Sequence, residues 1–172
     1  VPIFIKGHSA WAEGIGELIT PIKLKEYWYL ILTPNCHINT GEIFSHERLT
    51  RGTPKMKIAP VLEGQTNKLH TIAYLDQADN DFLSGNYHND CEALVTELYP
   101  EIHDAINWLN QYAPSRLTGT GACCFTRFES EGEAQQVLNE ARSKFKGFIA
   151  KGVNLSPALQ RLNEAKSSQR TL

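Results

Sequence analysis

Two short apolar segments, one ending at Leu117 and one running from Ala122 to Phe128, are separated by Thr118-Gly119-Thr120-Gly121. The chain has to reverse within those four residues. Two glycines one residue apart allow positive φ without a Cβ penalty, so the stretch reads as a hairpin connection between strands. The same spacing lets consecutive N–H groups face one concavity, a nest that accepts an anion such as phosphate. By itself the glycine spacing favours the plain hairpin connection, since a lone Gly-x-Gly is a weak phosphate signal.

The segments around the turn narrow the fold. Tyr27–Leu32 is aromatic or apolar at every position, as a strand buried on both faces would be, and Thr33-Pro34-Asn35 ends it. Asn39-Thr40-Gly41 then precedes Glu42–Arg48, which reads as a short helix with Thr40 as N-cap and with Ile43 and Phe44 on adjacent faces of its first turn. From Leu49 to Asn86 the periodicity fades into loops around one or two weak helices. Asn89-Asp90 starts a helix carrying Cys91, Leu94, Val95 and Leu98 at helical spacing. Pro100 suits the first turn of a second helix, which buries Ile102, Ala105, Ile106 and Leu109 and ends near Tyr112. Strands Ser115–Leu117 and Ala122–Phe128 follow. Ser130 caps a helix from Glu131 to about Ser143, with Ala134, Val137, Leu138 and Ala141 inward. Gly147 stops it, and Phe148–Val153 reads as the last strand. Ser156–Leu162 suggests a helical turn or two, and Ala165–Leu172 a polar tail.

Ahead of all this, Ile3–Ile5 reads as a short strand with Pro2 at its start. Gly7, Gly14 and Gly16 then break up a segment holding Trp11, and Glu17–Ile22 can pair back as a second strand. From Tyr27 onward the order is strand, helices, strand, strand, helix, strand. That is the split βαβ pattern of a ferredoxin-like α+β sandwich, with helices on one face of an antiparallel sheet.

Composition removes several function classes. The 172 residues are 41% hydrophobic, enough for one ordinary core. A net charge of −2 leaves no electrostatic footprint for nucleic acid or an anionic membrane. No apolar run approaches the roughly 20 residues that span a bilayer. No signal peptide is visible, because Lys6 and His8 interrupt the first residues. Cys36, Cys91, Cys123 and Cys124 form no Cys-x-x-Cys pair and read as reduced thiols of a cytoplasmic protein. The chain enters on Val1-Pro2-Ile3 with no initiator methionine, which points to a fragment of a longer protein.

Other chemistries lack their parts. Cys36-His37 with His46, or His8 with Glu13, match no zinc spacing, so no metal site is expected. Ser9, Ser45 and Ser115 lack a Gly-x-Ser-x-Gly elbow. Cys123 and Cys124 have no activating base in sequence. Asn89-Asp90 is explained by helix capping. No Walker lysine motif is present. The residues alone lead to a ferredoxin-like domain with a possible anion-binding turn, and no further.

A longer comparison of motifs extends this. Ala113-Pro114-Ser115-Arg116-Leu117-Thr118-Gly119-Thr120-Gly121-Ala122-Cys123 resembles the third motif of the GHMP kinases. Val1-Pro2-x-Phe4, Gly7-His8, Ala12-Glu13-Gly14-x-Gly16-Glu17, Pro34, Thr40 with Ile43-Phe44, Thr53-Pro54-Lys55, Asn89-Asp90-Cys91-Glu92 and Phe148-x-Ala150-Lys151-Gly152-Val153-Asn154-Leu155-Ser156-Pro157 match the same family in order. They resemble its branch acting on CDP-methylerythritol, on the methylerythritol phosphate route to isoprenoid precursors. The resemblance implies transfer of the γ-phosphoryl group of ATP, with Mg2+, to the 2-hydroxyl of the methylerythritol moiety. It implies an ATP loop, a catalytic lysine and a general-base aspartate upstream, the aspartate immediately before Val1, so that this chain holds no catalytic residue and is inactive alone. Residues 1–24 would then belong to an N-terminal catalytic domain, 25–153 to the substrate-binding domain, and 154–172 to a C-terminal segment. By the same resemblance Phe44 stacks on the cytosine, Thr40 lies near the pyrimidine or ribose, Ile15 packs near the nucleoside, and His8 sits at the cleft. Thr118, Gly119, Thr120 and Gly121 close the phosphate side. The expected partners are the small-molecule substrate and the other half of the same enzyme. The competing class is a stand-alone ferredoxin-like ligand-binding or regulatory domain.

Overall fold

Leu30 and Leu32 have no exposed surface, and the larger of two compact units, Trp28–Ala150, is built over them. The computed structural model describes residues 2–51 and 89–169. Of the expected loops and weak helices from Leu49 to Asn86, all but the first three residues therefore lie outside the described residues.

The larger unit begins with β3 (Trp28–Thr33) and α2 (Thr40–Ser45). It resumes with α3 (Asp90–Leu98), α4 (Pro100–Leu109), β4 (Ser115–Leu117), β5 (Cys124–Phe128), α5 (Glu131–Ala141) and β6 (Lys146–Lys151). Its four strands run in the order β4-β5-β3-β6, the order of a ferredoxin-like α+β sheet. Register explains the core. Leu30 lies opposite Thr126, Leu32 opposite Cys124, Ser115 opposite Thr126 and Leu117 opposite Cys124. Side chains alternate along a strand, so these six share one face, and all six are buried. Val95, Ile102, Ala105, Leu109, Val137 and Leu138 from α3, α4 and α5 close over that face. Burying each leucine contributes about 1.5–3 kcal/mol.

The other face differs from expectation. Tyr29, Ile31 and Phe125 are half-buried, so β3 is sealed on one side rather than both. Tyr29 and Phe125 meet there with ring centroids 6.1 Å apart. An aromatic ring tolerates partial exposure, so a continuous apolar run need not mean two dry faces.

Helix caps formed where the local chemistry demands them. Ser130 and Glu133 make a reciprocal capping box at α5. Pro100 occupies the first turn of α4, where its missing N–H costs nothing. Gly147 does not stop α5, which ends at Ala141, but lies inside β6. A Cβ there would sit 2.6 Å from the Ile31 carbonyl oxygen, so glycine is what lets β6 approach β3.

The second unit comprises Val1–Tyr27 and Lys151–Leu172. The expected strand Ile3–Ile5 is instead helix α1 (Pro2–Lys6). A three-residue apolar run carries no period that separates strand from helix, and Pro2 suits a first helical turn. Gly7 ends the helix at φ 69°, the left-handed conformation open to glycine. β1 (Ala10–Glu13) and β2 (Leu18–Pro21) form an antiparallel hairpin, with Ala10 opposite Pro21 and Glu13 opposite Leu18. Asn154 ties this unit together. Its Oδ1 accepts from Leu24 N at 2.8 Å and its Nδ2 donates to Leu24 O at 2.7 Å, as a strand partner would. The last helix, α6 (Pro157–Gln169), is longer than the expected turn or two and takes in part of the expected polar tail. Its polar positions form i,i+4 pairs such as Gln160 with Glu164, at 3.2 Å, which an apolar-period search does not register. Among the described residues, no helix is long and apolar enough to cross a membrane.

Candidate functional site

The site residues of the larger unit converge on the start of α2. Asn39, not Thr40, is its N-cap: Asn39 Oδ1 accepts from Gly41 N at 3.0 Å and Glu42 N at 3.4 Å. Asparagine carries its acceptor one bond farther out on an unbranched side chain and reaches two orphan amides, so it takes the cap and leaves Thr40 as the first helical residue. Thr40 thereby keeps its hydroxyl for another partner, the hydroxyl of Thr120, 3.0 Å away. Ile43 is 1% exposed and anchors the helix in the core, whereas Phe44 is 57% exposed. At the other end Arg51 Nη2 donates to the carbonyl oxygens of Phe44 and His46, at 2.8 and 2.9 Å. A cation on the last carbonyls of a six-residue helix satisfies groups with no intrahelical partner. The backbone of Phe44 is therefore held while its ring stands in solvent.

The glycine turn lies across the Thr40–Thr120 contact. Thr118 N–H donates to Cys123 O at 2.9 Å, and Gly121 N–H donates to Thr118 O at 2.8 Å. Those two amides serve the turn itself. Among the hydrogen bonds of the described residues, none uses the N–H groups of Gly119 or Thr120. Gly119 and Gly121 have φ of 54° and 94°. A Cβ on Gly121 would lie 2.6 Å from Ile38 Cδ1 and 3.2 Å from Leu117 Cδ1, so this glycine also packs the turn onto the core.

Two further side chains hold the turn, and neither was read from the sequence as doing so. Asn89 caps α3 through Oδ1, which accepts from Cys91 N at 3.0 Å. Its Nδ2 donates to Gly119 O at 2.6 Å and Leu117 O at 3.2 Å. Glu92 Oε2 accepts from Leu117 N at 2.7 Å. The signal was the Asn-x-x-Glu spacing, which at sequence level reads only as a local capping box.

His8 and Ile15 belong to the second unit. Ile15 is 99% exposed in the turn between β1 and β2, where its N–H donates to Glu17 Oε2 at 2.7 Å. His8 forms an isolated bridge with Leu155 and lines a cleft of about 330 Å³ with Phe4, Ser9, Val153 and Pro157.

Three of the four thiols, Cys36, Cys91 and Cys124, are pushed toward their protonated form. All four cysteines are free. Burial, reinforced by Cys123, Glu92 and Cys36, pushes the Cys124 thiol up to about 12. Burial likewise raises Cys36 and Cys91. Thiols kept protonated are poor nucleophiles. Among the described residues no group of three His, Cys, Asp or Glu side chains could hold a metal ion.

Residues 74–147 match the family described as GHMP kinases C terminal. A 4-diphosphocytidyl-2-C-methyl-D-erythritol kinase of Hahella chejuensis is 45% identical over 164 residues, 95% of this chain and 49% of that protein. The protein of the same name from Marinobacter nauticus is 45% identical over 166 residues, 96% of this chain and 52% of its own length. A crystal structure of 4-(cytidine 5'-diphospho)-2C-methyl-D-erythritol kinase shares the fold, with a TM-score of 0.61 at 20% identity, over 87% of this chain and 52% of that one. The chain spans about half the length of the curated relatives it matches. Over nearly all of its length, then, this chain is similar to one half of the 4-diphosphocytidyl-2-C-methyl-D-erythritol kinases, and its residues 74–147 match the C-terminal domain of the GHMP kinases.

Proposed function

We propose that this chain is the substrate-binding half of an ATP-dependent kinase that phosphorylates the 2-hydroxyl of 4-diphosphocytidyl-2-C-methyl-D-erythritol. The observation that carries the reading is the Thr40–Thr120 contact. It joins the helix that carries Phe44 to a loop in which, among the described residues, the Gly119 and Thr120 amides make no hydrogen bond, so an aromatic side chain and backbone donors sit on directly connected elements. A cytidine diphosphate needs that pair of features: a ring to stack on and donors for its phosphates.

Each residue then has a role. Phe44 stacks on the cytosine, and Arg51 keeps its backbone from moving. Thr40 lies beside the pyrimidine or ribose. The Gly119 and Thr120 amides contribute fixed donors on the phosphate side, where positioning and charge stabilisation make up most of the catalysis of phosphoryl transfer. Ile15 and His8 are assigned to the nucleoside and the cleft. ATP, assigned to the half that this chain does not span, supplies the γ-phosphoryl group in this reading. The ATP loop, catalytic lysine, general-base aspartate and Mg2+ are assigned to that half, and the chain alone is assigned no turnover.

The test is direct. A protein joining this chain to the ATP-binding half should consume ATP and yield one phosphorylated product from CDP-methylerythritol, and the chain alone should not. Failure of the joined protein to phosphorylate that substrate, with nucleotide bound by the chain alone, would favour a stand-alone ligand-binding domain.

A further inference from the structure

Beyond the residues assigned to the substrate, Asn89 and Glu92 form a two-point clamp on the glycine turn. In an Asn-x-x-Glu helix start, the glutamate ordinarily turns back to the amide of its own cap residue. Here Glu92 reaches outward to the N–H of Leu117, on β4 at the edge of the sheet. Asn89 uses both ends of its amide: the oxygen caps α3, and the nitrogen binds the carbonyls on either side of Thr118. One helical turn thus grips the N-terminal side of the loop at three backbone atoms, while Thr40 holds Thr120 on the other side.

We infer that Asn89 and Glu92 are positioning residues for phosphoryl transfer: they fix the Leu117–Gly119 backbone so that the amides of Gly119 and Thr120 keep one geometry toward substrate phosphate. This inference rests on the kinase reading above for its catalytic consequence, though the clamp itself does not. Aspartate has no donor, so Asn89→Asp keeps the cap on Cys91 but sets a carboxylate against two carbonyl oxygens. Glutamine keeps an acceptor for Leu117, whereas alanine does not.

The variants separate clamping from folding. In the joined kinase, Asn89→Asp and Glu92→Ala should lower kcat by about 10- to 100-fold, the scale expected of small misplacements at a reacting centre, with KM for the cytidine substrate within about twofold. Glu92→Gln should recover most of the loss. In this chain alone, amide exchange at Thr118 and Gly121, the hydrogen-bonded amides of the turn, should quicken about tenfold in Asn89→Asp, while α4 and α5 keep their protection. Unchanged loop exchange would overturn the clamp. Quickened exchange with unchanged kcat would overturn its catalytic role. A joined wild-type protein without kinase activity would instead count against the kinase reading, and the exchange result would still decide the clamp.

Discussion

The hydroxyls of Thr40 and Thr120, eighty residues apart in sequence, lie 3.0 Å from each other and connect the first turn of α2 to the glycine turn between β4 and β5. The contact exists because Asn39 takes the capping role and frees Thr40. Replacing either threonine by valine keeps shape and removes the bond. A double-mutant cycle by urea unfolding should give a coupling of about 0.5–1 kcal/mol, the lower range for a hydrogen bond because the pair is solvent-exposed. Strictly additive single effects would mean that the hydroxyls do not pair in solution.

Gly119 and Gly121 should rank clearly in their tolerance of a side chain. Both have positive φ, which costs an alanine roughly 1–2 kcal/mol. Gly119 faces open space, whereas a Cβ on Gly121 meets Ile38 at 2.6 Å. Overpacking adds about 1–3 kcal/mol, so Gly121→Ala should lose roughly 2–5 kcal/mol and Gly119→Ala roughly 1–2. Thermal melts of the two variants give the order, and a reversal would contradict the packing of the turn on the core.

Phe44 should matter to binding far more than to folding. Its ring is more than half exposed, so Phe44→Ala should change stability by less than about 0.5 kcal/mol. If it stacks on cytosine, with about 1–3 kcal/mol at stake, KM for CDP-methylerythritol in the joined kinase should rise roughly 5- to 150-fold. Phe44→Tyr should keep KM near wild type. An unchanged KM in the alanine variant would remove the stacking role.

Cys124 should couple stability to alkaline pH. Its thiol is raised in the folded chain to about 12 from an ordinary value near 9, chiefly by burial. The unfolded chain releases this proton first, so the stabilisation is fully present below about 9 and is lost as pH rises from there toward about 12. Cys36 and Cys91 shift in the same direction. The urea midpoint should therefore fall between pH 8 and pH 10.5, and fall less in Cys124→Ala. Parallel loss in the variant would show that Cys124 ionisation is not the cause.

Much of the larger unit is legible in the chain itself. The period-3.6 apolar positions of α3, α4 and α5, the Pro100 start and the Ser130 box are local signals, and each element forms where they fall. Strand order then follows, because a split βαβ sequence has few ways to bury one face of a sheet. Signals at the ends of the chain are weaker. Pro2–Lys6 is helical despite an apolar run that a strand would also show, and α6 is a largely polar helix with little apolar period. Gly147 illustrates the ambiguity of a single residue: the same glycine that ends a helix in one context permits strand contact in another.

For the site, the sequence alone determined which residue types were present: an aromatic after a capped helix start, a turn with two glycines, and an Asn-x-x-Glu pair. Only the tertiary structure decided how they are used. Capping is a competition between neighbouring side chains for the same amides, and Asn39 prevails over Thr40 by geometry that composition does not encode. The reach of Glu92 to Leu117 and of Asn89 to Gly119 depends on where folding places edge strand β4 beside α3. Those contacts are long-range hydrogen bonds, each set by angstrom-scale positions of backbone atoms, and no periodicity along the chain carries that information.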